Sequence, residues 1–278
     1  MKALVTGASG FIGRELVRQL LASGVKVRGI SRKPINQEKG IEWVRCDLGK
    51  PETLQGVCEG ADVIFHLAAN NKQDSYLVNV AATDALIKDA IRYNVRQFIY
   101  FSSFSVFGII QDRHMPDLDQ AHAPFSGYAL TKYQGEQACL RNKGISLLII
   151  RPPFVYDFSE PRHDLRLINV FIKAGIVPVI GSGNNYFNII SRRSLAEKTI
   201  ALFLGKKEGI HLLMDEAVTF NEFLGRCMKE AGRKNIMKLH FPIWSLYVPI
   251  FLYENAANIF GVYPEFSIKR LEQIRRSG

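Results

Sequence analysis

The sequence predicts an α/β chain: a doubly wound parallel sheet in its N-terminal part and a smaller, mostly C-terminal domain. Three observations predict it. Short runs rich in Val, Ile, Leu and Phe alternate with amphipathic helical stretches through the first half. A three-glycine turn separates the first run from the first helix, and the regular alternation stops at Pro152-Pro153.

Residues 3–5 are apolar in succession, as a strand buried on both faces of a parallel sheet is. Ile12, Leu16, Val17, Leu20 and Leu21 then recur at helical spacing. Residues 25–30, 63–67, 97–101 and 147–150 repeat the strand pattern, and Leu86, Ile87, Ala90 and Ile91 mark a further helix. Beyond the two prolines, residues 165–173 read as a helix, 177–180 as a strand and Gly181-Ser182-Gly183-Asn184-Asn185 as a turn. Residues 194–204 follow as a helix, 211–214 as a strand and 220–231 as a helix. The domain boundary therefore falls near residue 155, giving domains of 1–155 and 156–278, with about 189–205 packing back on the first.

Residues 241–261 contain a single charge, Glu254, but Pro242 and Pro249 interrupt the run and Tyr247, Asn255 and Asn258 interrupt its polarity. A spanning helix needs about 20 apolar residues without such breaks. The expectation is a helix packed on the core of the second domain, with contact to a membrane surface as the alternative.

The chain has 278 residues, 47% apolar and 22% charged, which suits a globular protein with a sizeable core and excludes a disordered or fibrous one. Thirty-six Lys and Arg oppose 26 Asp and Glu, a net charge of +10, which suits an anionic partner such as a nucleotide. The excess is uneven: residues 1–50 carry ten basic and four acidic side chains, 51–191 twelve and thirteen, and 192–278 fourteen and nine. No basic run interleaved with aromatics and no zinc-finger or helix-turn-helix pattern is present, so nucleic acid is not an expected partner. Cys46, Cys58, Cys139 and Cys227 are too dispersed for a CxxC pair, and no HExxH occurs, so no metal is expected. Met1-Lys2-Ala3-Leu4-Val5 meets Gly7 without room for a signal peptide, which predicts a cytoplasmic chain with reduced thiols.

Thr6-Gly7-Ala8-Ser9-Gly10-Phe11-Ile12-Gly13 lies directly after the first strand and opens the first helix. Glycine serves a tight turn at Gly7, close approach of a pyrophosphate at Gly10 and helix-to-strand contact at Gly13, the pattern of a Rossmann dinucleotide site. The helix N-terminus offers N–H groups and partial positive charge to phosphates. Gly7, Ser9, Gly10, Phe11, Ile12 and Gly13 are thus candidate cofactor-binding residues. At the end of the second strand stands Arg32, with no acid nearby. A carboxylate there would accept the ribose hydroxyls of NAD, whereas a guanidinium suits a 2′-phosphate, so the expected cofactor is NADP, with NAD as the alternative. Tyr128 and Lys132, four residues apart, share one face of a predicted helix. An ammonium beside a phenol favours the phenolate and lowers its pKa, which makes a general acid/base.

With these motifs the chain resembles the extended branch of the short-chain dehydrogenase/reductase superfamily, which contains nucleotide-sugar epimerases, dihydroflavonol-type reductases and hydroxysteroid dehydrogenases. Its landmarks are TGASGFIG at 6–13, Asp47-Leu48, DVIFHLAA at 62–69, Asn79-Val80, FSSFSVFG at 101–108, YALTK at 128–132 and RPPFVY at 151–156. They cover residues 1 to about 155 closely and the remainder loosely. The resemblance implies that Ser103 hydrogen-bonds the substrate oxygen, with Ser102 and Ser105 as competitors, that Tyr128 transfers the proton, and that Lys132 also holds the nicotinamide ribose. It implies that Asp47 and Leu48 border the adenine, that Leu67, Ala68 and Ala69 line the path under the pyrophosphate and ribose, and that Pro153, Phe154 and Val155 approach the nicotinamide. Asn79 either maintains the site's hydrogen bonding or is purely structural.

Dehydratases of this branch carry an Asp-Glu pair after the active-site hydroxyl residue; Phe104-Ser105 stands there instead, which argues against dehydration. The expected reaction is hydride transfer to or from a carbonyl or alcohol carbon, most readily that of a nucleotide sugar, by a keto-sugar reductase or epimerase. Arg162, Arg166, Arg192 and Arg193 support that substrate; Arg192 or Arg193 would take a diphosphate or be surface arginines. The apolar 241–261 segment supports the alternative, a lipophilic alcohol or ketone. A non-catalytic NADP-binding sensor or assembly subunit would lose Tyr128 or Lys132, and both are present. A homodimer is compatible with all three readings.

Overall fold

A computed structural model describes residues 1–32, 40–71, 75–108, 118, 122, 124, 126–259, 268, 271, 272 and 275. In chain order its strands and helices are β1 (Lys2–Thr6), α1 (Phe11–Ala22), β2 (Lys26–Ser31), β3 (Ile41–Arg45), β4 (Val63–His66), α2 (Ala82–Arg92), β5 (Gln97–Phe101), α3 (Gly127–Arg141), β6 (Ser146–Arg151) and β7 (Phe154–Tyr156). There follow α4 (His163–Ala174), β8 (Ile176–Ile180), β9 (Tyr186–Ser191), α5 (Arg192–Leu204), β10 (Gly209–Leu212), β11 (Glu216–Thr219), α6 (Phe220–Glu230), β12 (Met237–Phe241) and α7 (Tyr247–Ile259). The chain divides into two compact units, one of residues 1–106, 124–152 and 192–213, the other of 107–123, 153–191 and 214–278.

The first unit holds a seven-stranded sheet in the order β10-β6-β5-β4-β1-β2-β3, parallel at every pairing. Side chains alternate across it, so the two faces are covered by different helices. Leu4, Ile64, Phe98 and Ile149 meet Leu86, Ile87 and Ala90 of α2 and Cys139 of α3 on one face. On the other, Phe65 packs edge-on against Phe203 of α5, at 5.5 Å between centroids, and α1 lies against α5. This is the doubly wound, Rossmann-like arrangement.

Two strands of this sheet were illegible or displaced in the sequence. β3 reads Ile-Glu-Trp-Val-Arg, with charges at Glu42 and Arg45, because it is an edge strand and only part of it is covered. β10 begins at Gly209, two residues before the predicted run, because its register on β6 sets Gly209 opposite Leu148.

In the second unit β11, β9 and β7 form one sheet, and β12 pairs with β8 in parallel. Its core gathers Leu165, Ile172, Val177, Ile189, Val218, Leu224 and Cys227 around Phe223, whose ring contacts Phe154, Tyr156, Phe158 and Phe187. α6 starts at a capping box in which Thr219 Oγ1 accepts from Glu222 N and Glu222 reaches back to Thr219 N, at 3.1 and 2.7 Å. The 241–261 segment corrects an expectation. α7 does form, but of residues 247–256 only Ile250 is buried while Val248, Phe251, Leu252 and Tyr253 are exposed, so the segment is not packed on a core along its length. No helix among the described residues is long and apolar enough to cross a membrane.

Candidate active site

The glycine turn links β1 to α1 within the first unit. Gly7 has φ +68°, and a Cβ on it would stand 2.9 Å from Ala68 N; one on Gly13 would stand 2.0 Å from Gly7 O. The strand, the turn and the first helical turn thus approach one another to a distance that only hydrogen at these positions permits. Gly10 is the N-cap of α1, where no side chain caps the first turn and no carboxylate stands in it. Ser9 and Gly10 are exposed, Phe11 and Ile12 half-buried. An exposed helix N-terminus without its own anion fits a dinucleotide's phosphates.

Arg192 closes this turn from within. Its guanidinium lies 4.9 Å from the Phe11 ring centroid and donates to Phe11 O at 3.4 Å. Buried there, it is not a surface arginine, which corrects that reading of it, whereas Arg193 is exposed and paired with Glu197 at 2.7 Å. Arg32 is exposed on the bend after β2. Asp47 Oδ1 accepts from Gly49 N at 3.0 Å, and Leu48 packs against the core. Leu67 and Ala68 are half-buried and Ala69 exposed at the end of β4.

A buried polar chain runs beneath the turn. Ala68 N donates to Thr6 Oγ1 at 3.1 Å, Thr6 Oγ1 meets His66 Nδ1 at 2.7 Å, and His66 Nε2 meets Thr83 Oγ1 at 2.9 Å. Thr83 gives its own hydrogen to Asn79 O at 2.9 Å. Because that hydroxyl has one hydrogen, Nε2 must donate to Thr83. Burial, helped by the Lys132 charge, pulls the pKa of His66 down to about 3, which favours the neutral imidazole with Nδ1 accepting from Thr6.

Asn79 sits in a π-helical turn, Leu77–Ala81, a rare winding that often marks functional sites. Its Oδ1 accepts from Asn70 N at 2.8 Å; its Nδ2 donates to Asn70 O at 2.7 Å and to Thr131 Oγ1 at 2.9 Å. Thr131 Oγ1 in turn donates to the carbonyls of Gly127 and Tyr128, at 3.0 and 3.1 Å. The loop after β4, the π turn and the start of α3 are thus tied through one amide.

Ser126 caps α3, accepting from Ala129 N at 3.1 Å, and Tyr128 follows in the first turn, half-buried. Lys132, one turn on, is buried with its Nζ 4.1 Å from the Tyr100 ring centroid. Burial lowers its pKa to about 7, with Cys139 and Glu136 opposing the fall. α3 reaches this depth because of Gly135: a Cβ there would lie within 2.5 Å of Asn79 O and closer still to the Tyr100 hydroxyl. One residue further, Glu136 receives Arg151 in a fully buried bidentate pair at 2.9 and 2.7 Å, fastening α3 to the end of β6.

The serines follow β5. Ser103 Oγ accepts from Ser105 N at 3.2 Å and from Ser105 Oγ at 3.0 Å, which leaves Ser103's own hydrogen to donate. Ser102 is buried, and its Oγ has no hydrogen-bond partner among the described residues. Pro153, Phe154 and Val155 belong to the second unit, where Val155 is buried and Phe154 joins the Phe223 cluster. Arg162 and Arg166 stand at the start of α4 there; Arg162 lies 3.9 Å from Asp164, and Arg166 donates to Pro161 O at 2.9 Å. Among the described residues no group of three His, Cys, Asp or Glu could hold a metal ion, and the four cysteines are free and buried.

The sequence reading assigned nothing to Thr6, His66, Thr83, Tyr100, Thr131, Glu136 or Arg151. Thr6, His66, Thr131 and Arg151 lie inside the quoted motifs, so the signal was proximity to assigned residues. Thr83, Tyr100 and Glu136 carried no local signal.

The model of the NAD dependent epimerase/dehydratase family matches residues 3–193. Mouse sterol-4-alpha-carboxylate 3-dehydrogenase, decarboxylating, is 28% identical over 270 residues, covering 90% of this chain and 74% of that protein. UDP-glucose 4-epimerase of Vibrio cholerae is 26% identical over 273 residues, covering 93% and 82%. Against the uncharacterized protein y4nG of Sinorhizobium fredii the identity is 26% over 72% of this chain, which spans 52% of that relative's length. The structure of Bordetella bronchiseptica WbmH in complex with NAD+ superposes with a TM-score of 0.76 at 20% identity, covering 87% of this chain and 85% of that one, a likeness of fold alone.

Proposed function

The chain belongs to the NAD dependent epimerase/dehydratase family, enzymes of the extended short-chain dehydrogenase/reductase type, and on that premise we propose that it uses NADP to reduce or oxidise a carbonyl or alcohol carbon of a nucleotide sugar. A nicotinamide dinucleotide, when bound, supplies or accepts the hydride. Gly7, Ser9, Gly10, Phe11, Ile12 and Gly13 hold its phosphates, Asp47 and Leu48 its adenine, and Leu67, Ala68 and Ala69 the ribose path. Lys132 holds the nicotinamide ribose, and Pro153, Phe154 and Val155 serve the nicotinamide itself. Arg32 takes the 2′-phosphate of NADP, for which its exposed place on the bend after β2, with no acid beside it among the described residues, is the support.

Ser103 donates its remaining hydrogen to the substrate oxygen, and Tyr128 gives or takes the proton there. Lys132, in its charged form, favours the phenolate of Tyr128. One observation carries the reading: Lys132 is an amine buried one helical turn from Tyr128, on a helix held by the Asn79–Thr131 bond. A surface Tyr–Lys pair would need neither that burial nor that tie. The UDP-glucose 4-epimerase relative supports a nucleotide sugar. A lipophilic ketone is the second reading, favoured by the sterol dehydrogenase relative and by the apolar surface of α7. The enzyme works in the cytoplasm, where its four buried thiols stay reduced.

The test is turnover of NADPH and NADH with a panel of keto-sugar nucleotides and lipophilic ketones. Tyr128→Phe should lower kcat by about 10²–10⁴-fold while leaving dinucleotide binding intact. Unchanged turnover in that variant would remove Tyr128 from the chemistry, and dinucleotide binding by the parent chain without turnover on any substrate of the panel would favour a sensor. Arg32→Ala should erase a preference for NADPH; equal use of both cofactors before and after would remove the NADP assignment and revive a tightly bound NAD and epimerisation.

A further inference from the structure

Lys132 is buried without a carboxylate of its own. It is 1% exposed, and among the described residues no Asp or Glu forms an ion pair with it. Glu136, one turn on in α3, gives its two oxygens to Arg151 at 2.9 and 2.7 Å. What faces the ammonium is an aromatic ring. Nζ lies 4.1 Å from the Tyr100 centroid, well inside the reach of about 6 Å over which a cation is drawn to a ring face. Tyr100 is fully buried, and a desolvated setting is where that attraction is strongest.

The fold fixes this contact from several sides. Tyr100 stands in β5 in register with His66 of β4, and the two rings lie 5.7 Å apart. The Tyr100 hydroxyl donates to the backbone carbonyl of Lys132 at 3.3 Å, so one phenol meets both ends of the same residue. Gly135 clears the room, since a Cβ there would collide with that hydroxyl and with Asn79 O. The surrounding core cluster also holds Leu4, Ile64 and Ile149, so packing by itself asks only for an apolar side chain at position 100.

Burial pulls the Lys132 amine down to about 7, so near neutral pH a modest contact decides how much of it is charged. The titratable and charged groups around it are His66 on β4, Tyr128, Glu136 and Cys139 on α3, and Arg151 on β6. His66, pulled down to about 3, stays neutral while Lys132 titrates. Burial also keeps Cys139 a thiol and holds the Tyr100 phenol well above its ordinary range.

We propose that Tyr100 is a positioning residue whose ring is the seat that holds the Lys132 ammonium charged and in place for its work on Tyr128. The inference deepens the proposed function and rests on its reading of Lys132 as the cation that favours the Tyr128 phenolate.

The experiment follows the Lys132 Cε resonance against pH by nuclear magnetic resonance, in the full chain grown with isotope-labelled lysine. Lys132→Met identifies the signal by its loss. Tyr100→Phe keeps the ring face and should leave the titration midpoint near the parent's. Tyr100→Leu removes the face and should lower the midpoint by about one pH unit, an about tenfold loss of the protonated form relative to the neutral one. Phenylalanine carrying successively more fluorine atoms at position 100 nearly keeps the ring's volume while draining electron density from its face, so the midpoint should fall in steps. That series decides the question even if Tyr100→Leu does not fold. A midpoint that stays put across the fluorinated series overturns the proposal. So does a fall in Tyr100→Phe as large as in Tyr100→Leu, which would place the effect in the hydroxyl rather than the ring. The titration needs no substrate, so it judges the seat separately from the turnover of Tyr128→Phe, which judges the catalytic reading.

Discussion

The two units treat polarity in opposite ways. In the first, Thr6, His66, Thr83, Asn79, Thr131, Glu136 and Arg151 are buried and bonded to one another, and Lys132 lies among them. In the second, Trp244, Val248, Phe251 and Leu252 remain in water. Burying polar groups costs free energy that their hydrogen bonds only just return, so such a network adds little net stability while fixing geometry closely. Leaving apolar side chains exposed forgoes stabilisation that burial would bring, about 1.5–3 kcal/mol for a large one. The first unit sacrifices ease of packing for a pre-set polar site, and the second sacrifices core for surface.

Substitutions should separate these two economies. The largest effect belongs to Glu136→Ala, which leaves the Arg151 guanidinium buried beside an empty carboxylate position; unfolding free energy should fall by about 3–5 kcal/mol in urea titration. A loss below about 1 kcal/mol would show that the pair is wetter than its burial indicates. Asn79→Ala should cost about 1–3 kcal/mol, because it strips partners from Asn70 N, Asn70 O and Thr131 Oγ1 together. It should also lower kcat more than Thr83→Val, which leaves the Asn79–Thr131 bond in place.

Acid should act on the first unit through His66. Its folded pKa of about 3 lies below the unfolded 6.5, so between those values the unfolded chain binds a proton that the folded chain refuses. Stability contributed by the neutral imidazole is complete above pH 6.5 and falls as pH drops, by about 1.4 kcal/mol per unit across that window. Melting temperature measured against pH should show this slope, and His66→Gln should flatten it. The smallest effect belongs to the second unit: Leu252→Ser should change unfolding free energy by less than about 0.5 kcal/mol, since its side chain is already in water. A loss of several kcal/mol would mean that α7 is packed in solution, and would dissolve the contrast.

How much was legible follows the same division. The glycine turn, five of the seven strands of the large sheet and the helices between them stood out because backbone geometry and double-sided burial leave local marks: Gly7, Gly10, Gly13 and unbroken runs such as residues 97–101. β7, β9, β11 and β12 did not, being short or carrying polar residues within strands that pack on small sheets. Arg192 read equally as a diphosphate ligand or a surface cation, and the structure buries it against Phe11.

By itself the sequence determined the fold class, the glycine turn between β1 and α1 and the spacing of Tyr128 and Lys132, because each depends on residues within a turn or two of one another. Only the tertiary structure decided that His66 is neutral, that Asn79 clasps the loop after β4 to α3, that Glu136 meets Arg151, and that residues 244–253 keep their apolar side outward. Those outcomes depend on which distant groups share a desolvated space, and chain spacing carries no record of that.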